Sequence, residues 1–442
     1  MAATFPNTSI SALREGYRDR TLRPVEVVEM ALARSNSNAG HNVYLEQNGD
    51  AQTQARNLNL QELETQPLWG VPVSLKDCFD LAGFPTSCGS NFYREHNGIA
   101  TQNSAVVNRL IAAGAIIIGK THLHQLAYGI TGENRDFGDC VQPRNPAWLT
   151  GGSSSGGAAS VQEGSAFAAI GTDTGGSIRT PAALCGITGY RSSITLNTSP
   201  NDSIWRGGAH LASSFDTLGL LYRDLADGPL LARVLFDLPE PKEQHLTDIR
   251  IGVPDASFLH DCEPDVLDTL QLWQSALTQQ QATVTTFNAT LWDNALSIFA
   301  PIQASEAAVL HRGNFHQFEP AIAERLTGGT SISAEELASL RQQLTTFRQQ
   351  TAELFQHVDY LLIPCAPMST LLAGADHYTT RPRILRYTTP ASLAGLPTVV
   401  LPGIHGGIQL IGPLGSDANL LAFSATLAPI AESLINPATL QV

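Results

Sequence analysis

Short runs of uninterrupted apolar residues recur along the chain and are separated by stretches with a helical stripe. Of VPVSLK (71–76), AIIIGKT (115–121) and FAAIGTDTGG (167–176), the first reads as a short strand entering a polar segment, and the other two open on apolar runs without alternation, the pattern of strands buried on both faces. NSAVVNRLIAAG (103–114) precedes the second of these as a helix stopped by glycine, so helix and strand alternate as in an α/β protein. Residues 11–35 predict two helical pieces broken near Pro24. The alternation continues with DIRIGVP (248–254) as a strand, 263–281 as a helix and ATVTTF (282–287) as a strand. A long helix follows over 333–356, opened by a Ser/Glu capping pair, and DYLLIPCAP (359–367) is a buried strand. GLPTVVLPG (395–403) and GGIQLIGP (406–413) are short apolar runs, and 416–428 closes as a helix. The predicted architecture is α/β, with a large central sheet covered by helices on both faces. One domain over 1–442 is expected, with a variable helical region at about 237–335.

Composition narrows the function. A net charge of −14 argues against general affinity for nucleic acid or anionic membrane, although a local arginine can still hold an acidic substrate. The N-terminus lacks the basic start and apolar run of a secretory signal, and no stretch has the roughly 18 apolar residues of a membrane span, so a cytoplasmic location is expected. Six cysteines are scattered without metal-site spacing, and no metal or other cofactor is implied. Only three of the 26 basic residues are lysines: Lys76, Lys120 and Lys242. Unlike arginine, a lysine beside glycine-rich turns can be tuned into a base.

Two such turns lie close together. GGSSSGGAAS (151–160) begins a helix, and GTDTGGSIR (171–179) ends a strand. In the second, Gly175 and Gly176 let consecutive N–H groups turn toward one point beside the Ser177 hydroxyl. This reads as an oxyanion hole with donors from Thr174, Gly175, Gly176 and Ser177, with Asp173 holding the loop. The competing reading is an anion-binding nest. A serine nucleophile needs a base, and no histidine stands in a triad signature; His122 and His124 read as structural. Lys76 in a low-dielectric site is the better candidate, and Ser153 can relay a proton between it and Ser177. The remaining serines of the first turn read as caps and loop ties.

Those two turns resemble the halves of the amidase signature, GGSSSGGAA and GTDTGGSIRTPAALCGITGYR. The likeness extends to VPVSLKD, GAIIIGKTHLHQLAYG, SFDTLG, DYLLIPCAP, TPASLAGLPTVVLPG and GGIQLIGP, in order over most of the chain. The resemblance implies the amidase signature fold and amide hydrolysis by a Ser, cis-Ser, Lys triad. By motif, Ser177 is the acylated nucleophile, Ser153 the bridging serine after a cis peptide to Gly152, and Lys76 the base. Ser154 is expected to support Lys76 or the oxyanion loop. Arg179 ties the loop or faces a substrate carboxylate, and Tyr128, Trp205 and Tyr387 are candidates to line the pocket. The implied substrate is a small soluble amide or urea-like compound. The alternative is the A subunit of a glutamine-dependent tRNA amidotransferase, with partner subunits; TGEN (131–134) resembles that branch. The segment 193–214 and HGGI (405–408) depart from the usual pattern and bear on the substrate. Homodimers are compatible with the fold.

Overall fold

Eleven strands hydrogen-bond into one mixed sheet, in the order Tyr44–Gln47, Ile116–Thr121, Pro72–Lys76, Ala168–Asp173, Thr217–Tyr222, Thr188–Arg191, Thr398–Leu401, Ile408–Ile411, Tyr360–Pro364, Arg250–Pro254 and Thr283–Phe287. The computed structural model from which this follows describes residues 9–197 and 204–435. Pro72–Lys76 lies between parallel neighbours, with Val73 opposite Ile117 on one side and Ala168 on the other. Beyond Ala168–Asp173 the pairing turns antiparallel, and it returns to parallel at the far edge. Every residue of Pro72–Lys76, Ile116–Thr121 and Ala168–Asp173 is buried, because helices cover both faces of the sheet. This is the mixed α/β architecture that the amidase signature resemblance implies.

The apolar runs fall where the periodicity places them. The first two helices are Ile10–Arg18 and Pro24–Ser37, the second starting on the proline that breaks the stripe. The capped helix is Ala334–Leu354, and the Ser333 hydroxyl accepts from the Glu336 N–H at 3.1 Å. The segment 237–335 supplies the last two strands of the sheet, Arg250–Pro254 and the edge strand Thr283–Phe287, as well as the helices Pro264–Gln279, Ala295–Leu310 and Pro320–Thr330. Residues 198–203 of the departing segment 193–214 lie outside the described residues. Thr380–Ala394 is a helix without a clear sequence signal: it contains Pro390, and its second half is buried throughout, so no polar stripe marks it. It lies against Ala295–Leu310 and against the helix that follows the second glycine-rich turn, Arg179–Cys185. Among the described residues no single helix is long and apolar enough to cross a membrane.

Candidate active site

Two adjacent parallel strands end at one place. Lys76 is the last residue of Pro72–Lys76, and Thr172 and Asp173 close Ala168–Asp173. Ligands collect at the carboxyl ends of parallel strands, where loops converge. The Lys76 Nζ donates to Ser153 Oγ at 2.8 Å and to Thr172 Oγ1 at 2.9 Å, and all three side chains are buried. Burial lowers the Lys76 pKa to about 8; the more distant Asp173 and Asp216 only partly offset this. An ammonium that loses its proton this easily, hydrogen-bonded to a hydroxyl, can take a proton through that hydroxyl.

The first glycine-serine turn brings Ser153 to this point. The Gly152–Ser153 peptide bond is cis, the Gly152 N–H donates to the Ile130 carbonyl at 2.7 Å, and the Ser153 carbonyl accepts from the His124 N–H at 3.2 Å. The helix Ser155–Glu163 starts two residues later. Ser154 occupies its N-cap position without a side-chain capping bond. Its hydroxyl instead donates to the Thr172 carbonyl at 3.3 Å, and its N–H to the Ser177 carbonyl at 3.1 Å. The two turns are therefore stitched together through Ser154, with Ser153 and Ser177 flanking the seam.

Asp173 organises the second turn. Its carboxylate accepts from the N–H groups of Gly176 at 2.8 Å and Ile178 at 3.1 Å, and pairs at 2.9 Å with both Arg179 and Arg191. Burial alone would raise the Asp173 pKa; the two guanidinium groups outweigh it and hold the carboxyl well below its ordinary range. This arrangement corrects two expectations. The Gly176 N–H, expected among the oxyanion donors, is committed to Asp173. Arg179, a candidate for a substrate carboxylate, is wholly buried and binds Asp173, the Thr388 carbonyl at 2.8 Å, Gln409 Oε1 at 2.7 Å and Ser392 Oγ at 2.6 Å. Its donors are spent on the frame. Among the described residues the N–H groups of Thr174, Gly175 and Ser177 have no intramolecular acceptor, which leaves three uncommitted donors in the turn that carries Ser177.

The loop is locked from outside. The Thr388 hydroxyl donates to the Gly175 carbonyl at 2.6 Å, and Thr174 Oγ1 donates to Asp216 at 2.6 Å. Gly176 has φ +126°, and a Cβ there would sit 2.8 Å from Thr388, so only glycine fits. Trp205 is buried, stacked on His210 at 4.2 Å with Phe79 on its other flank; it reaches the loop only through the His210–Asp216 pair at 3.0 Å. Tyr387 is core, its hydroxyl bound to Asp261. The His122 Nε2 donates to the Gly138 carbonyl at 2.8 Å, and His124 meets Glu319 at 3.1 Å, away from any serine hydroxyl. Tyr128 lies under two arginines, Arg325 at 4.8 Å and Arg381 at 6.0 Å from its ring. The sequence reading missed Thr172, Asp216 and Thr388. Thr172 directly precedes Asp173 within GTDTGGSIR, where its hydroxyl is a local signal; Thr388 lies on a helix more than 200 residues further along, where no local signal marks it.

A sequence model of the Amidase family matches residues 26–421. The chain is 32% identical over 423 residues to the A subunit of the glutamyl-tRNA(Gln) amidotransferase of Roseiflexus castenholzii, covering 84% of each. It is 31% identical over 375 residues to the 2-amino-5-chloromuconic acid deaminase of Comamonas testosteroni, covering 80% of this chain and 76% of that protein. A crystal structure described as an amidase superposes with TM-score 0.85 at 26% identity, covering 96% of this chain and all of that one.

Proposed function

This chain belongs to the amidase family, and from that premise we propose that it hydrolyses a small amide or urea-like C–N bond to an acid and ammonia or an amine. The observation that carries the proposal is the buried Lys76–Ser153 hydrogen bond at 2.8 Å, beside the loop that carries Ser177. In this reading Ser177 Oγ attacks the carbonyl carbon and passes its proton to Ser153, whose own proton moves to Lys76 Nζ. The negative charge on the carbonyl oxygen is held by the N–H groups of Thr174, Gly175 and Ser177; one such donor is typically worth about 3–4 kcal/mol of barrier. Collapse of the tetrahedral intermediate breaks the C–N bond, and the relay run backwards protonates the leaving nitrogen. Water then attacks the Ser177 ester, using the same relay as base, and releases the acid.

Asp173, Arg179 and Arg191 hold the donors still, so that little reorganisation accompanies charge development. The test is ammonia release by the purified chain on a panel of aliphatic, aromatic, dicarboxylic and urea-like amides. Release is expected from the wild type, with a fall of at least ~10⁴-fold in Ser177→Ala. Equal release from both proteins would refute the assignment of Ser177.

The 32% identity to an amidotransferase A subunit favours a second reading, in which glutamine is the ammonia source and a partner protein the receiver. Glutamine turnover only in the presence of a copurifying partner would select it, whereas turnover of other amides by the isolated chain selects hydrolysis.

A further inference from the structure

Most arginines of this protein pair with an acid or with backbone carbonyls, and among the described residues those that do neither are exposed, with the exception of Arg381. On the helix Thr380–Ala394, Arg383 and Arg386 pair with Asp261 at 3.5 and 3.1 Å. Arg381, on the same helix, is half-buried yet forms no ion pair and no side-chain hydrogen bond among the described residues. Its neighbours are the Tyr128 ring and a second cation, Arg325. Arg325 stacks on the same ring and donates one bond, to the Tyr128 carbonyl at 2.7 Å, while its buried Nε has no partner. Of the two acids near it, Glu319 at the N-cap of Pro320–Thr330 is turned to His124 at 3.1 Å, and the exposed Glu324 forms no ion pair with it. Burial, followed by the proximity of Arg325, lowers the Arg381 pKa to about 10, as for a cation without a counter-ion.

Helix electrostatics sharpen the oddity. Arg381 stands in the first turn of Thr380–Ala394, which carries no acidic residue, so a guanidinium sits at the positive end of the helix dipole. Each guanidinium is attracted to the ring, but the two cations repel each other, and an anion held between them would relieve that repulsion.

The place of this cluster relative to the reacting groups is fixed by the chain. Arg381, Leu385 and Thr388 follow one another at helical spacing, and the last two touch Gly175 and Gly176 of the serine loop. Thr388 is two turns beyond Arg381, ~10 Å along the axis. On the other side, Tyr128 closes the turn whose His124 N–H holds the Ser153 carbonyl, and Ile130, two residues on, holds the Gly152 N–H.

We propose that Arg325 and Arg381, set over Tyr128, form a carboxylate-binding subsite of the active site, so that the preferred substrates are short amides bearing a carboxylate a few bonds from the scissile carbonyl. The inference takes from the preceding proposal that Ser177 marks the reacting end. Arginine rather than lysine suits the task because its planar fork matches both carboxylate oxygens. The role first expected of Arg179 passes to two residues well over a hundred positions further along the chain.

Binding separates this inference from the hydrolase reading. Calorimetric titration of Ser177→Ala with the half-amides of succinic, glutaric and adipic acid is compared with chain-matched unsubstituted primary amides. At least one half-amide is expected to bind ~10–100-fold more tightly than its neutral counterpart. Adding Arg381→Met to Ser177→Ala should bring that ratio close to one, with Arg381→Lys recovering only part of it. Equal affinities for charged and neutral amides, or a ratio that survives Arg381→Met in a protein with unchanged thermal unfolding, would overturn the subsite. Because the titration needs no turnover, a wild type that binds half-amides but releases no ammonia would refute hydrolysis and leave the subsite standing. A wild type that turns over neutral amides at least as well as half-amides would do the reverse.

Discussion

Lys76 and Lys120 are two of only three lysines in the chain, lie on neighbouring parallel strands and are both fully buried, yet their surroundings differ in kind. Lys120 forms an ion pair with Asp77 at 2.5 Å, donates to Thr86 Oγ1 at 2.9 Å, and also reaches the Pro85 carbonyl. Lys76 has two hydroxyls and no carboxylate within bonding distance. One site neutralises its charge and the other withholds the counter-ion, which destabilises the ammonium and favours the free amine. In the proposed mechanism, Lys76 serves as the base because of what the fold leaves out of its first contacts. The Asp173–Arg179–Arg191 cluster extends the contrast, since there a carboxylate accepts six hydrogen bonds, three from backbone N–H groups and three from two guanidinium groups, and is made inert.

Replacing each lysine by methionine should separate the two roles. Lys76→Met is expected to lower kcat/KM by ~10²–10⁴-fold, the usual worth of a general base, with Arg at the same position giving no rescue. The same change removes a buried, unpaired charge, so thermal unfolding should stay level or shift upward. Lys120→Met should act the other way, leaving the buried Asp77 carboxylate with only its Ser87 donors and no cation, and costing about 3–5 kcal/mol of stability, read by denaturant unfolding. A Lys76→Met protein that keeps its activity but loses stability would erase the distinction. Smaller in size, Gly176→Ala should cost ~1–3 kcal/mol by forcing a Cβ against Thr388 at a positive φ, with activity lost through the displaced loop. Unchanged unfolding in that variant would show that the serine loop is not held as tightly as its contacts imply.

Much of the site could be read from the sequence because its parts stand in short segments whose local grammar is strong. The strand ending at Lys76 carries Val71, Val73 and Leu75 at strand spacing, and the two glycine-serine turns announce unusual backbone. What escaped detection depends on tertiary competition. Gly176 was counted among the oxyanion donors, but its N–H answers to Asp173 three residues earlier, and no spacing rule tells a satisfied amide from a free one. The strands Thr188–Arg191 and Thr217–Tyr222 are short, contain glycine and are buried on both faces, so neither alternation nor a turn signal sets them off. Arg325 and Arg381 look like any surface arginine in sequence; only the packing of two late helices over Tyr128 makes them a pair.

The lowered Lys76 pKa also sets the sign of two pH dependences. Between its folded value of about 8 and the ordinary lysine value near 10.5, the unfolded chain binds more protons, so stability gains from this residue as pH rises through that window. Activity follows the free amine and should rise over the same lower limit. The decisive measurement is the pH profile of kcat/KM on an uncharged amide from pH 5 to 10. With Lys76 as the base, a single ascending limb is expected, tenfold per pH unit, with its midpoint near 8. A midpoint near the ordinary histidine range of ~6.5, or a profile flat from pH 6 to 9, would contradict Lys76 as the base.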